Sequence, residues 1–139
     1  MNVLFDTNVI LDVLLGRDPY VDAASKLFAL VDNGRIKGSI CATTVTTVYY
    51  IAAKDFGRGR AREQVHGLLG LFEVAPVDRD VLDGALDIDF ADYEDAVLHE
   101  SARSVGATAI VTRDRGDFAR STISALDPQE LLAAIAAAR

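Results

Sequence analysis

Four aspartates near the ends of predicted strands carry the chemistry that this sequence suggests. Asp6 directly follows an apolar run at the start of the chain, which is typical of a buried strand. Asp114 and Asp117 follow a second such run. Because ligands of open parallel sheets bind outside the carboxyl ends of the strands, we expect these acids at one sheet edge. Asp95, in the first turn of the helix before that second strand, can point back to the same edge.

Four carboxylates in one cleft repel each other strongly, so the arrangement predicts a bound cation. Oxygen ligands without an accompanying cluster of Cys or His select Mg²⁺ or Mn²⁺ rather than zinc. We therefore predict that Asp6, Asp95, Asp114 and Asp117 gather around such a cation. Structural roles stay open for each acid, as a helix cap, a favourable charge at a helix start or a turn former.

Polar neighbours of these acids are candidates for supporting roles. Asn8 could orient Asp6 or a metal-bound water, or it could cap a helix. Arg113 and Arg115 flank Asp114 and are candidate RNA-binding residues. Pairing with nearby acids is the structural alternative for both arginines.

His99 lies four positions after Asp95 and therefore shares its helix face. No second histidine supports a metal site there, so we expect a surface or core histidine. Asp92 is the expected N-cap of this helix. A local group of arginines could contact phosphates or belong to a solvated turn and helix start: Arg58, Arg60 and Arg62.

Strands and helices alternate along the chain, as judged from apolar spacing and from Gly, Asn and Pro stop signals. The predicted strands are residues 3–5, 38–41, 71–75, 107–111 and a short one containing Ile123. The predicted helices are residues 9–14, 19–33, 43–54, 61–70, 81–88, 92–106 and one from 128 onward, with a turn at 57–60. This alternation favours a mostly parallel sheet covered on both faces.

The composition predicts one ordinary globular domain over residues 1–139, with half of the residues apolar and 25% charged. The net charge of −7 does not exclude a nucleic-acid partner, because acids that hold divalent cations form a neutral or positive site once metal is bound. The single cysteine, Cys41, lies in an apolar run and predicts a buried free thiol in a reducing compartment. With no signal peptide and no apolar stretch near ~20 residues, we expect a cytoplasmic protein without membrane association.

Two blocks of sequence resemble the PIN-domain family, including its VapC-type toxins. The first block is the opening segment, Val3-Leu4-Phe5-Asp6-Thr7-Asn8-Val9-Ile10-Leu11-Asp12. The second comprises Glu94-Asp95-Ala96-Val97-Leu98, then Ala107-Thr108-Ala109-Ile110-Val111-Thr112-Arg113-Asp114, and finally Asp117-Phe118. The resemblance covers nearly the whole chain in the expected order and spacing.

The resemblance implies a three-layer α/β/α sandwich around a parallel sheet and Mg²⁺- or Mn²⁺-dependent cleavage of RNA. It also implies a homodimer and a small antitoxin protein that covers the active site. Asp6 carries over as the first metal ligand, Asp95 as the third acid, and Asp114 with Asp117 as the final acidic positions.

One position departs from the family pattern. PIN domains usually carry a Glu in the helix after the second strand, in a pattern like Thr-x-x-Glu, and here Thr47 stands at that position. Threonine supplies a neutral oxygen instead of a charge, so we expect Thr47 in a supporting role and weaker metal binding unless the other acids or retained waters compensate.

Two functions are therefore compared. The first is a metal-dependent endoribonuclease, the toxin of a toxin–antitoxin pair, that hydrolyses RNA phosphodiester bonds. The second is a non-catalytic PIN-like module that binds RNA or a protein, which Thr47 favours. A receiver-like domain ranks low because the only lysines lie in the first half of the chain. A haloacid-dehalogenase-like phosphatase ranks low because Asn8 stands where its second Asp is needed.

Overall fold

Five parallel strands form a single sheet in the computed structural model, which describes residues 1–138. The strands are β1 (Asn2–Phe5), β2 (Lys37–Cys41), β3 (Glu73–Ala75), β4 (Ala109–Val111) and β5 (Ser124–Leu126). Their order across the sheet is β3-β2-β1-β4-β5. The chain thus moves outward from β1 in one direction and returns to β4 on the other side of β1. In such sheets the ligand crevice opens where the strand order reverses, at the carboxyl ends of β1 and β4.

Seven α-helices lie within residues 1–138 and connect the strands. They are α1 (Thr7–Leu14), α2 (Val21–Asp32), α3 (Ala42–Phe56), α4 (Arg58–Leu71), α5 (Arg79–Leu86), α6 (Tyr93–Ser104) and α7 (Pro128–Ala137). A 3-10 turn, Arg115–Phe118, follows β4. None of the described helices is long and apolar enough to cross a membrane.

The side chains of β1 alternate between two apolar cores, one on each face of the sheet. Val3 and Phe5 join the larger core, to which α1, α2, α3, α4 and α7 contribute. Leu4 points to the opposite face and packs with residues of α6 and with Cys41, the buried thiol that the sequence predicts. Helix α5 packs on α6. The predicted three-layer α/β/α sandwich is therefore confirmed, with a fully parallel sheet.

Two local predictions were wrong. Residues 57–60 are not a free turn, because helix α4 begins at Arg58. The reversal between α3 and α4 is made by Gly57 alone, whose φ of 88° lies in the left-handed region that favours glycine. Ile123 precedes the last strand instead of lying within it, since β5 starts at Ser124.

Three phenylalanine rings fill the centre of the larger core over one glycine of β2. The rings of Phe5, Phe28 and Phe72 contact each other edge to face, with centroids 5.0–5.9 Å apart. A Cβ atom at Gly38 would lie 2.8 Å from Val31 Cγ2 and 2.9 Å from the Phe72 ring. The absence of a side chain at this position is therefore what lets the rings approach the sheet.

We predict that Gly38→Ala lowers the free energy of unfolding by about 1–3 kcal/mol, because the added methyl group overpacks a rigid aromatic core. Gly67 in α4 is exposed and has open space around its Cα, so Gly67→Ala serves as the matched control. That variant should instead gain up to about 1 kcal/mol from helix propensity. Urea unfolding measures both changes, and a neutral Gly38→Ala would contradict this account of the core.

Candidate active site

Asp6 lies at the carboxyl end of β1, where the strand passes directly into α1. Its backbone NH donates to the carbonyl of Val111 (2.9 Å), which ties it to the end of β4. Its carboxylate caps α1 by accepting from the Thr7 backbone NH (2.7 Å) and accepts a second bond from the Thr112 hydroxyl (2.8 Å). Only 8% of Asp6 is exposed, and burial raises its pKa above the ordinary aspartate value. Asp6 therefore caps α1, the structural role that the sequence left open, and its carboxylate lies at the sheet edge.

Thr112 connects the two strand ends and is a site residue that sequence reasoning missed. It is fully buried just after β4, and its hydroxyl donates to Asp6 while accepting from the backbone NH of Asp114 (3.0 Å). The strand register could have indicated this role, because Phe5 pairs with Val111 and the next residue of each strand then lies side by side. One hydroxyl thus positions Asp6 and the backbone that carries Asp114.

Asn8 lies between Asp6 and Asp114, two of the four predicted acids. Its amide nitrogen donates to Asp114 Oδ2 (3.1 Å) and, at 3.4 Å, to Asp6 Oδ2. Its amide oxygen accepts from the backbone NH of Arg113 (3.3 Å). The helix cap is Asp6 and not Asn8. Asn8 therefore joins the start of α1 to the loop after β4 through its contacts with Arg113 and Asp114.

The four predicted acids meet in one cleft at the carboxyl edge of the sheet. Asp6, Asp95, Asp114 and Asp117 all line a cavity of about 340 Å³. Two further acids line it that the sequence did not assign to the site, the helix cap Asp92 and the exposed Glu94. Asp92 is confirmed as N-cap, since its carboxylate accepts from the Asp95 backbone NH (3.1 Å).

The carboxyl group of Asp95 has a strongly raised pKa. Partial burial and the negative charges of Asp6, Asp92, Asp117 and Glu94 raise its pKa to about 7. The cleft therefore retains a proton near neutral pH where an ordinary aspartate would be fully ionised. A cation in the cleft would offset the repulsion between the acids, lower the pKa of Asp95 and displace the proton.

The donor set of the cleft suits a hard cation. Its acidic ligands are all carboxylates, and no Cys or His lines it among residues 1–138. Within the same residues no three acidic, Cys or His side chains are gathered closely enough to enclose an ion by themselves. A Mg²⁺ ion bound through one or two carboxylates with retained waters fits this spacing better than a dehydrated ion in an all-protein cage.

Thr47, which we predict to stand at the position of the family's glutamate, does not line this cleft. Its hydroxyl donates to the Thr43 carbonyl of its own helix (3.0 Å), and Thr43, one turn earlier, lines the cleft instead. The supporting role predicted for Thr47 remains a prediction. The acids of the cleft come from β1, α6 and the loop after β4, and α3 contributes a neutral residue.

Arg113 and Arg115 both pair with acids, the structural alternative that the sequence left open. Arg113 binds the fully buried Asp12 through Nε (2.6 Å) and Nη2 (3.2 Å), and this pairing raises its pKa although burial opposes it. Arg115 pairs with Glu130 (3.0 Å) at the surface. RNA contact by either arginine remains a prediction.

A different arginine enters the cleft, and the sequence gave no signal for it. Arg17 is the one basic side chain that lines the cleft within the described chain. It lies 3.7 Å from Asp12, whose carboxylate is already held more tightly by Arg113. Arg17 therefore places a positive charge beside six acids.

His99 is a core histidine, as expected, and not a metal ligand. It is 1% exposed, and its Nε2 accepts from the Thr122 backbone NH (3.2 Å). Its Nδ1 therefore carries the proton and donates to Glu100 (2.8 Å). This histidine anchors the segment between the 3-10 turn and β5.

Comparison with solved structures shows the same fold in several toxin–antitoxin proteins. The DNA-bound VapBC complex of Salmonella typhimurium matches with a TM-score of 0.70 and 21% identity, over 92% of this chain and 98% of that chain. A toxin–antitoxin complex from Klebsiella pneumoniae matches at 0.68 and 22%, over 91% and 97%. VapC20 of Mycobacterium tuberculosis, a sarcin–ricin loop cleaving toxin, matches at 0.61 and 14%, over 78% and 86%. At these identities the likeness concerns the fold.

Sequence comparison gives the family directly. No curated protein matches the sequence. A family model described as a PIN domain, however, matches residues 2–116, which begin at β1 and include Asp6, Asp95 and Asp114 but end one residue before Asp117. The chain therefore belongs to the PIN-domain family.

Proposed function

We propose that this PIN domain is a metal-dependent endoribonuclease that hydrolyses RNA phosphodiester bonds and acts as the toxin of a toxin–antitoxin pair. The observation that carries the proposal is the convergence of Asp6, Asp95, Asp114 and Asp117 on one cleft at the switch point of the sheet. An acidic cleft with a raised carboxyl pKa gains from a bound cation, and a cation is what attracts a phosphodiester to a surface of net negative charge.

Asp6, Asp95 and Asp114 would hold Mg²⁺ or Mn²⁺, one or two of them by direct contact and the rest through retained waters, with Asp117 as a further ligand or a partner of one. When bound, the metal lowers the pKa of water and stabilises negative charge on phosphate oxygens. The protein fixes the orientation of these ligands. Thr112 and the Thr7 backbone NH hold the Asp6 carboxylate, and the Asn8 amide links it to Asp114.

Arg17 supplies the positive charge of this cleft that does not depend on a metal. A guanidinium beside the acids favours a bound phosphate and the charge that develops on it during hydrolysis. The 3.7 Å contact with Asp12 is the weaker of the two arginine pairs on that carboxylate, so Arg17 is the one available to turn toward a phosphate.

The proposed partners follow from the same family. Several structural neighbours are toxins in complex with antitoxins, which supports an antitoxin protein as a partner of this chain. We also propose a homodimer in the cytoplasm, which the family resemblance implies. RNA is the substrate, and the sarcin–ricin loop cleaved by one neighbour is a precedent for a structured RNA.

We predict that Asp6→Asn lowers Mn²⁺-dependent cleavage of a mixed RNA pool by at least about 100-fold, because a charged metal ligand becomes neutral. Asparagine caps helices as well as aspartate does, so the fold should remain intact. The assay compares Mn²⁺, Mg²⁺ and EDTA, with circular dichroism as the test of folding.

Asp78→Asn is the matched control. Asp78 caps α5 in the same way, accepting from the Val81 backbone NH (3.0 Å), but it does not line the acidic cleft. Its substitution should leave cleavage unchanged. Full activity of Asp6→Asn would remove Asp6 from the catalytic site.

We predict a pH-dependent stability that originates at Asp95. Its folded-state pKa of about 7 lies above the ordinary value of 3.8, so the folded protein binds this proton more tightly than the unfolded chain. The resulting stabilisation is present below about pH 4 and lost as the pH rises to 7. Because water screens this partly exposed group, we expect the stability of the wild type relative to Asp95→Asn to fall by about 1–2 kcal/mol over that range.

Urea unfolding in EDTA between pH 4 and 8 measures this difference. Millimolar Mg²⁺ should raise the stability of the wild type at pH 8 but not that of Asp95→Asn, because only the ionised aspartate attracts the cation. Parallel stability curves for the two proteins would refute the assignment of the raised pKa to Asp95.

A non-catalytic module that binds RNA or a protein is the second candidate. It is favoured by the neutral Thr47, whose hydroxyl is directed to its own helix.

We predict that Thr47→Glu lowers the Mn²⁺ concentration needed for half-maximal cleavage severalfold, because a carboxylate is added near the cleft. Cleavage that appears only in Thr47→Glu would favour the non-catalytic module for the natural chain. Thr46→Glu, on the exposed face of α3, is the control.

A further inference from the structure

A second cavity adjoins the acidic cleft and has a different chemical character. It has a volume of about 340 Å³ and lies between Pro19 and Tyr20 at the start of α2 and Pro128 and Gln129 at the start of α7. Asp114 lines both this cavity and the acidic cleft. A group bound here would therefore be a direct neighbour of a group bound among the acids. We call it the Tyr20 cavity.

The ring of Tyr20 is fixed in orientation by a buried ion pair. The guanidinium of Arg113 lies over the ring at 4.0 Å from its centroid, a cation–π contact. Arg113 is in turn held by two hydrogen bonds to the fully buried Asp12. Even so, 43% of Tyr20 is exposed. The protein thus presents an exposed aromatic surface that is already ordered before a ligand binds.

The charge of the Tyr20 cavity disfavours a phosphate as its occupant. The positive charge of Arg113 is compensated by Asp12, while Asp114 and Asp127 add negative charge to the lining. A flat, uncharged group with polar edges fits better, because it can stack on the tyrosine and pair with the exposed amide of Gln129. A nucleobase has these properties, and stacking on aromatic side chains is the usual way in which proteins hold unpaired bases.

We infer that the Tyr20 cavity binds the base of the nucleotide next to the scissile phosphate. This inference rests on the proposed ribonuclease function and adds a base-binding subsite to it. A base can enter the cavity only when it is unpaired and turned out of its stack. The substrate is therefore an RNA with an unpaired nucleotide at the cleavage site, in a loop, bulge or single strand, and a continuous duplex is not cut.

Binding of mononucleotides in EDTA tests the cavity without requiring catalysis. Adenosine and uridine monophosphates should shift the Arg113 Nε–H resonance and the backbone amides of residues 19–23, whereas ribose 5-phosphate should not. Tyr20→Leu, which keeps an apolar side chain but removes the aromatic face, should weaken binding about 10-fold. Tyr20→Phe should retain it. Equal shifts with ribose 5-phosphate, or unchanged binding by Tyr20→Leu, would overturn the inference.

Tyr50→Leu is the matched control. Tyr50 is another exposed tyrosine with a cation near its ring, Lys54 at 5.5 Å, but it lies on α3 outside the Tyr20 cavity. Its substitution should leave nucleotide binding unchanged. An equal loss of binding in Tyr50→Leu would assign the base to a general aromatic surface instead of the Tyr20 cavity.

Cleavage of RNAs that carry one abasic nucleotide separates this inference from the proposed function. An abasic site beside the scissile bond should slow the wild type about 10-fold and Tyr20→Leu little further, because both changes remove the same contact. If the abasic nucleotide slows cleavage equally at every position, the inference of a base subsite is wrong, while the proposed ribonuclease function is unaffected. If no RNA is cut, the proposed ribonuclease function is contradicted. The nucleotide-binding experiment would then still show whether the Tyr20 cavity binds a base.

Discussion

Mutual repulsion of carboxylates at the carboxyl edge of the sheet is the constraint to which the rest of the site responds. The fold brings these groups together because β1 and β4 are neighbours and run in the same direction. Each response lowers the electrostatic cost in a different way. Asp6 is stabilised by hydrogen bonds, Asp95 retains a proton near neutral pH, and Arg17 contributes a positive charge. These partial remedies still leave the cleft with a net negative charge.

A second electrostatic arrangement lies just behind the first and is fully satisfied. Asp12 is completely buried, yet its carboxylate receives two hydrogen bonds from Arg113 and the charge of Arg17. A buried charge of this kind is tolerated only when it is paired, and removing one partner is costly. Because Arg113 belongs to the loop after β4, this pair holds that loop against α1. The structural acid and the cleft acids therefore depend on the same loop.

The fold and the four acids could be predicted from the sequence because both follow from local patterns. Apolar runs that end in aspartate indicate strands with polar ends, and the alternation with helices requires parallel pairing. Thr112 could not be recognised in this way, since its role depends on the register between two strands more than a hundred residues apart. Arg17 was missed for a similar reason. Its position in the cleft is set by the loop between α1 and α2, for which periodicity gives no information.

The candidate RNA-binding arginines illustrate the limit of proximity in sequence. Arg113 and Arg115 stand beside Asp114, but the 3-10 turn that begins at Arg115 gives their side chains different directions. One of them reaches the interior and the other the surface near α7. Thr47 shows the same limit on a helix. The motif predicts a role for it at the site, while its hydroxyl binds the backbone one turn away, as threonine often does within helices.

The order of the strands also has a consequence for biosynthesis. The cleft combines Asp6, from the first strand, with Asp114 and Asp117, which the ribosome adds more than a hundred residues later. Until β4 inserts beside β1, the emerging chain carries its first acid without the others. Contacts between residues so far apart in sequence form late, because closing the intervening loop costs entropy. The complete acidic cleft therefore exists only after β4 has been synthesised and has paired with β1, and the nascent chain lacks any property that requires all four acids until then.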